Sequence, residues 1–230
     1  MKTIGLLGGM SWQSTQGYYQ AINEAVAQRL GKLHSAKIAL YSLDFAPIEQ
    51  LQHQGDWEGC AKILCQAAQR VEVAGADCLL ICTNTMHKLA PQVEAAISIP
   101  LLHIADATAQ RIQAQGLSRI GLLGTAFTMD EAFYKGRMAD KYGLDVRVPN
   151  AADRQRVHQV IYDELCLGKV NPESRQAYLR IIESLGAEGA EAVILGCTEI
   201  GMLVSQADSA VPLFDTTKIH AQAAVEFALS

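Results

Sequence analysis

The chain has 230 residues, half of them apolar and 19% charged, which is the balance of a folded protein with a filled core. Nineteen Lys and Arg against 24 Asp and Glu leave a net charge of −5. No basic run stands out, so nucleic acid and anionic membrane are not expected partners. No apolar stretch has the length of a membrane span, and Met1-Lys2-Thr3 meets glycines too early for a signal peptide, so a cytoplasmic protein is expected.

In chain order, residues 3–7 read as a continuous apolar strand that ends in a glycine turn. Residues 13–30 carry helical spacing, 37–43 a strand, 57–74 a helix and 78–82 a buried strand. A helix over 86–97, a strand over 101–104 and a helix over 106–114 follow. The second half predicts strands at 120–123, 146–148 and 192–195, with helices at 130–142, 152–167, 172–185 and 218–229. Continuous apolar strands alternating with helices predict an α/β fold with parallel sheets covered on both faces.

The chain also repeats itself. Ile4-Gly5-Leu6-Leu7-Gly8 recurs as Ile120-Gly121-Leu122-Leu123-Gly124, 116 residues later. The segment 75–81 resembles 189–195 at an offset of 114, and 99–102 resembles 211–214 at an offset of 112. Three blocks in one order predict two related, pseudo-symmetric α/β domains. The expected domains are 1–104 and 105–215, with the terminal helix, 216–230, packing back on the first.

Ligands of open parallel sheets bind beyond the carboxyl ends of the strands. Two loops fall there, Cys82-Thr83-Asn84-Thr85 and Gly196-Cys197-Thr198-Glu199. At the offset of 114, Cys197 corresponds to Thr83, and Cys82 corresponds to Gly196. Two such groups with a substrate between them could take a proton from one face of a carbon and return one on the other. A thiolate can be the base, because a helix N-terminus lowers a thiol's pKa. The amides that follow, with Asn84, Thr85 and Thr198, would hold a carboxylate and the charge that builds on it. A lone cysteine at a strand end is more often packing than chemistry, and a threonine there is usually a helix cap. The six cysteines have no zinc spacing, and there is no dinucleotide fingerprint, Walker run or nucleophile elbow.

Residues 80–87, Leu-Ile-Cys-Thr-Asn-Thr-Met-His, and 195–200, Leu-Gly-Cys-Thr-Glu-Ile, together with Gly8-Gly9-Met10-Ser11 and Tyr18-Tyr19, resemble the cofactor-independent aspartate/glutamate racemases over essentially the whole chain. The resemblance implies two pseudo-symmetric domains with the active site between them. It implies an amino-acid racemase that needs neither cofactor nor metal and uses two cysteines as acid and base. This chain departs from that pattern. The residue before Asn84 is Thr83, and Cys82 stands one place earlier, where a strand would turn it into the core.

The expected reaction is therefore asymmetric: Cys197 is the thiolate base and Thr83 the proton donor on the opposite face, with L-aspartate or L-glutamate favoured. Met10, Gln52, Thr83, Asn84, Thr85, Thr125, Thr198, Glu199 and Lys169 are the expected substrate contacts. Gln52 falls where the family reads the distal carboxylate, and an uncharged residue there admits neutral substrates. Lys169 and Arg154 could supply charge, although a solvated surface position is the commoner fate of each. Glu199 could orient the substrate amine or tune Cys197; it could equally be a first-turn carboxylate. His87, on the first turn of its helix, reads as a support behind the site residues or as packing. A broad-specificity racemase of neutral amino acids and a non-catalytic amino-acid-binding protein are the alternatives. The only expected partners are a small amino acid and, by the frequency of two-fold assemblies, a second copy in a homodimer.

Overall fold

The computed structural model describes every residue except Lys32. The chain divides into two compact units, Met1–Ile104 with His220–Ser230, and Ala105–Ile219.

The first unit runs β1 (Ile4–Gly8), α1 (Trp12–Leu30), β2 (Ile38–Ser42), α2 (Phe45–Gln54), α3 (Trp57–Val73) and β3 (Cys78–Ile81). A 3-10 turn (Thr85–Leu89) and α4 (Ala90–Ala96) follow. Its strands pair in parallel in the order β2-β1-β3. Every residue of β1 and β3 is buried, as befits strands covered on both faces. Their alternation splits the core in two. Leu7, Leu79 and Ile81 pack with Leu64, Ala67, Ala68 and Val71 of α3. Ile4, Leu6, Cys78, Leu80 and Cys82 pack with Tyr18, Ile22 and Val26 of α1.

The second unit begins inside α5 (Ile104–Gln113) and continues through β4 (Arg119–Gly124), α6 (Ala126–Asp130), α7 (Ala132–Tyr142) and β5 (Asp145–Arg147). Then come α8 (Ala151–Asp163), a 3-10 turn (Leu165–Leu167), α9 (Pro172–Ala187), β6 (Ala192–Gly196), α10 (Ile200–Leu203), β7 (Leu213–Asp215) and α11 (Thr216–Leu229). This sheet is parallel in the order β5-β4-β6-β7.

The internal repeat is written into the ladders. Ile4 pairs with Cys78 and Leu7 with Ile81; Ile120 pairs with Ala192 and Leu123 with Leu195. Both partners of each pair recur at the offsets of 116 and 114 found in the sequence. A single parallel bridge, Leu79 with Leu101, stands where the second unit has β7 pairing Val193 with Leu213. The helix after each of these edge positions joins the other unit. From Ala105 on, α5 belongs to the second unit, and from His220 on, α11 belongs to the first. There Ala221, Ala224, Val225 and Ala228 complete the cluster of Ile4, Leu6 and Leu80.

Several boundaries differ from the expected ones for local reasons. The helix expected over 86–97 is a 3-10 turn followed by a short helix that restarts with Pro91 in its first turn, where a missing N–H costs nothing. The strand expected over 101–104 shrinks to one bridge because Ile104 already opens α5. The helix expected over 130–142 breaks where Glu131 is extended, and that over 152–167 ends at Asp163. Helix α2 escaped the sequence reading because Pro47 looks like a breaker. It lies in the first turn, with Asp44 as N-cap and Gly55 in the left-handed region as C-cap.

Candidate active site

The loops after β3 and β6 start from the same ladder step in their own units. The Cys82 N–H donates to Leu7 O at 2.9 Å, and Gly196 pairs with Gly124. Thr83 and Cys197 each come one residue later.

In the first unit, Cys82 is fully buried among Tyr18, Leu80 and Ala221, and burial pushes its thiol far up. Thr83 follows at the edge of exposure, 9% accessible, with Asn84 and Thr85 buried beside it. The His87 Nδ1 lies 2.8 Å from Thr83 O, and its Nε2 lies 3.2 Å from the Ile104 amide nitrogen. A carbonyl can only accept and an amide N–H can only donate. His87 is therefore neutral, with its proton on Nδ1. Gln52 is buried on α2, its Nε2 2.7 Å from the sulfur of Met86. Met10 is buried in the same cluster as Met86. The turn that carries Met10 depends on Gly9, whose φ is +89°; a Cβ there would meet Leu43 O at 2.1 Å. In the first unit Gln52 thus meets Met86, the residue after Thr85, and Met10 shares the apolar cluster of Met86.

In the second unit, Cys197 Sγ lies 3.0 Å from Glu199 Oε2, which also accepts the Thr198 hydroxyl at 2.8 Å. Cys166 Sγ lies 3.8 Å from the other oxygen, Oε1. Burial raises the Cys197 thiol well above its ordinary range, and the charge of Glu199 adds to this. The backbone N–H of Glu199 acts in the opposite sense. The helices after the two loops are too short for a strong dipole, with five residues in the 3-10 turn and four in α10. The downward pull on the thiol expected from a helix end is therefore outweighed, and the resting group is a thiol that donates to Glu199.

Thr125 is buried and caps α6, its hydroxyl accepting from the Thr128 N–H at 3.3 Å. Lys169 is exposed, three residues beyond Cys166, with its amide donating to Glu164 O at 2.9 Å. Arg154 is engaged with Asp130 at 3.1 Å.

Sequence reading did not anticipate the buried polar surroundings. In the first unit, His220 Nδ1 lies 2.8 Å from the Tyr18 hydroxyl, and Nε2 lies 2.6 Å from Leu102 O. The His87 ring centroid is 4.6 Å from that of His103 and 5.8 Å from that of His220. In the second unit, burial raises the Tyr178 hydroxyl well above its ordinary range. The one usable signal was the repeat. Tyr18 and Tyr134 are 116 residues apart; Tyr18 meets His220 of α11, and Tyr134 feels the hydroxyl of Thr108 on α5.

Parallel α/β units with a loop of polar and sulfur side chains after the third strand of each define a class of two-unit α/β proteins. The profile of the Asp/Glu/Hydantoin racemase family matches residues 7–224, so the chain belongs to that family, whose named members are isomerases. It is 22% identical to the broad-specificity amino-acid racemase RacX of Bacillus subtilis, over 96% of each chain. A Yersinia pestis structure provisionally described as an Asp/Glu racemase superposes with a TM-score of 0.92 at 54% identity, over 100% of both chains. An aspartate racemase homologue from Pyrococcus horikoshii gives 0.86 at 34%, again over 100% of both. Among the described residues no helix is long and apolar enough to cross a membrane, and no group of three or more His, Cys, Asp or Glu could hold a metal ion.

Proposed function

We propose that the chain racemises L-aspartate or L-glutamate, with Cys197 taking the α-proton and Thr83 returning one on the opposite face. The observation that carries this is the equivalence of Thr83 and Cys197 on two ladders of the same register, with a carboxylate bonded to the sulfur on one side only. Glu199 receives the thiol proton when the thiolate forms. A substrate ammonium group offsets the charge of Glu199 and so brings the thiol down when substrate is present. The thiolate removes the α-proton. The carbanion, delocalised onto the substrate carboxylate, takes a proton from the Thr83 hydroxyl; the alkoxide then regains a proton from solvent and Glu199 returns to solvent the one it received, which restores the resting groups. A hydroxyl is too weak an acid to stand ready as alkoxide, so Thr83 serves as donor and not as the starting base. L-substrates are favoured for that reason. Asn84, Thr85, Thr125, Thr198, Met10 and Lys169 are assigned to substrate binding.

Gln52 favours a second reading, a racemase that also admits neutral side chains, since an amide in place of a cation does not demand a distal carboxylate. The test is incubation with L-Asp, L-Glu and neutral L-amino acids in deuterated water, followed by proton NMR and chiral chromatography. Deuterium at the α-carbon with D-isomer from acidic substrates is the expected result, and Cys197→Ala should abolish both. Thr83→Cys should open turnover of D-isomers. Binding without exchange of any of them would make the chain an amino-acid-binding protein instead.

A further inference from the structure

We propose that His87 is the positioning residue for Thr83, holding its carbonyl so that the hydroxyl stays aligned with the carbon it reprotonates; this rests on the role given to Thr83 above. The imidazole is 2% exposed and engaged at both nitrogens, to Thr83 O at 2.8 Å and to the Ile104 N–H at 3.2 Å. Ile104 is the first residue of α5, so the ring satisfies an N–H that the helix cannot. The His103 and His220 rings pack against it, which leaves the ring little freedom to turn. His220 is itself pinned between the Tyr18 hydroxyl and Leu102 O. The bond to Thr83 O fixes the plane of the Thr83–Asn84 peptide, and so holds the backbone from which the Thr83 side chain leaves. Cys197 has no such histidine: its partner is Glu199, two residues on, which bonds the sulfur itself. The two sides of the proposed reaction are thus supported differently, one by charge and one by a neutral ring fixed in a single tautomer.

Two substitutions separate the two bonds. Asparagine places an N–H where Nδ1 stands and keeps the bond to Thr83 O. Glutamine reaches the position of Nε2 and keeps only the Ile104 side. In deuterated water, with L-Asp or L-Glu, two rates are read for the full-length protein: deuterium entering the L-isomer, which needs only Cys197, and formation of D-isomer, which needs Thr83. His87→Ala and His87→Gln should lower D-isomer formation about 10- to 100-fold while wash-in to the L-isomer stays within about twofold. His87→Asn should recover inversion to within about threefold of the unaltered protein. Equal loss of both rates, or His87→Asn no better than His87→Gln, overturns the proposal in favour of a packing role. Should the variants not fold, nitrogen-15 NMR of the unaltered protein decides: a proton on Nδ1 is expected, and one on Nε2 overturns it. An unaltered protein that neither exchanges nor inverts any amino acid overturns the racemase reading, and this one with it.

Discussion

The sulfur of Cys197 lies 3.0 Å from Glu199 Oε2, so the thiol proton has an acceptor before any substrate arrives. The carboxylate both raises the thiol's pKa and gives its proton somewhere to go. Glu199→Gln separates these effects. Loss of the negative charge lowers the thiol's pKa, so alkylation by iodoacetamide near pH 8 should speed up. Turnover of L-substrates should fall about 100-fold for want of the acceptor. Alkylation and turnover moving in the same direction would refute the pairing.

Cys82 is the cysteine that a motif search would favour, yet it is fully buried in an apolar cluster on the α1 side of its sheet. Cys82→Ala should cost about 1 kcal/mol of unfolding free energy, for a small cavity. Racemisation should stay within about twofold, as a stopped assay beside a urea titration would show. A collapse of activity at unchanged stability would return Cys82 to the chemistry.

A Cβ on Gly196 would come within 2.6 Å of Leu122 Cδ1 and 2.8 Å of Leu123 O. The equivalent position in the first unit accommodates Cys82, so the constraint is particular to the second. Gly196→Ala should destabilise by about 1–3 kcal/mol, and the strain should displace the neighbouring Cys197. Thermal unfolding with an activity measurement on the folded fraction checks both parts; a variant as stable as the parent contradicts the close approach.

Burial pushes His220 down to about 4. A folded-state value below the unfolded one near 6.5 means that the unfolded chain takes up the proton first. The stability is fully present above about pH 6.5 and is lost as pH falls toward 4, by about 3 kcal/mol in total. His220→Gln keeps a donor for Leu102 O but cannot be protonated, so its acid limb should be shallower. Urea midpoints at pH 7 and pH 4.5 give the comparison; parallel curves would rule His220 out as the source.

Much of this fold could be read from the chain because its signals are local or repeated. The buried strands announce themselves as unbroken apolar runs, and the offsets of 116 and 114 return as ladder pairs such as Leu7 with Ile81 and Leu123 with Leu195. Thr83 and Cys197 were visible as equivalents for the same reason. The contacts that tune them were not. His220 reaches Tyr18 across 202 residues, and no periodicity reports such a contact. The upward shift of Cys197 turns on burial and on the direction of one carboxylate, both properties of the folded loop. Helix α2 was lost to an ambiguity of Pro47, which stops a helix from within but suits its first turn.

The exchanged helices set an order of assembly. The second unit, Ala105–Ile219, is one continuous stretch of chain. The first is interrupted by it and lacks Ala221, Ala224, Val225 and Ala228 until His220–Ser230 are made. A ribosome delivers residues in sequence, so in the half that emerges first Ile4, Leu6 and Leu80 have α1 against them but gain Ala221, Ala224, Val225 and Ala228 only when α11 is made. The half that emerges second is the first to hold all of its own core. In this chain the half that is made first is the last to gain the whole of its core.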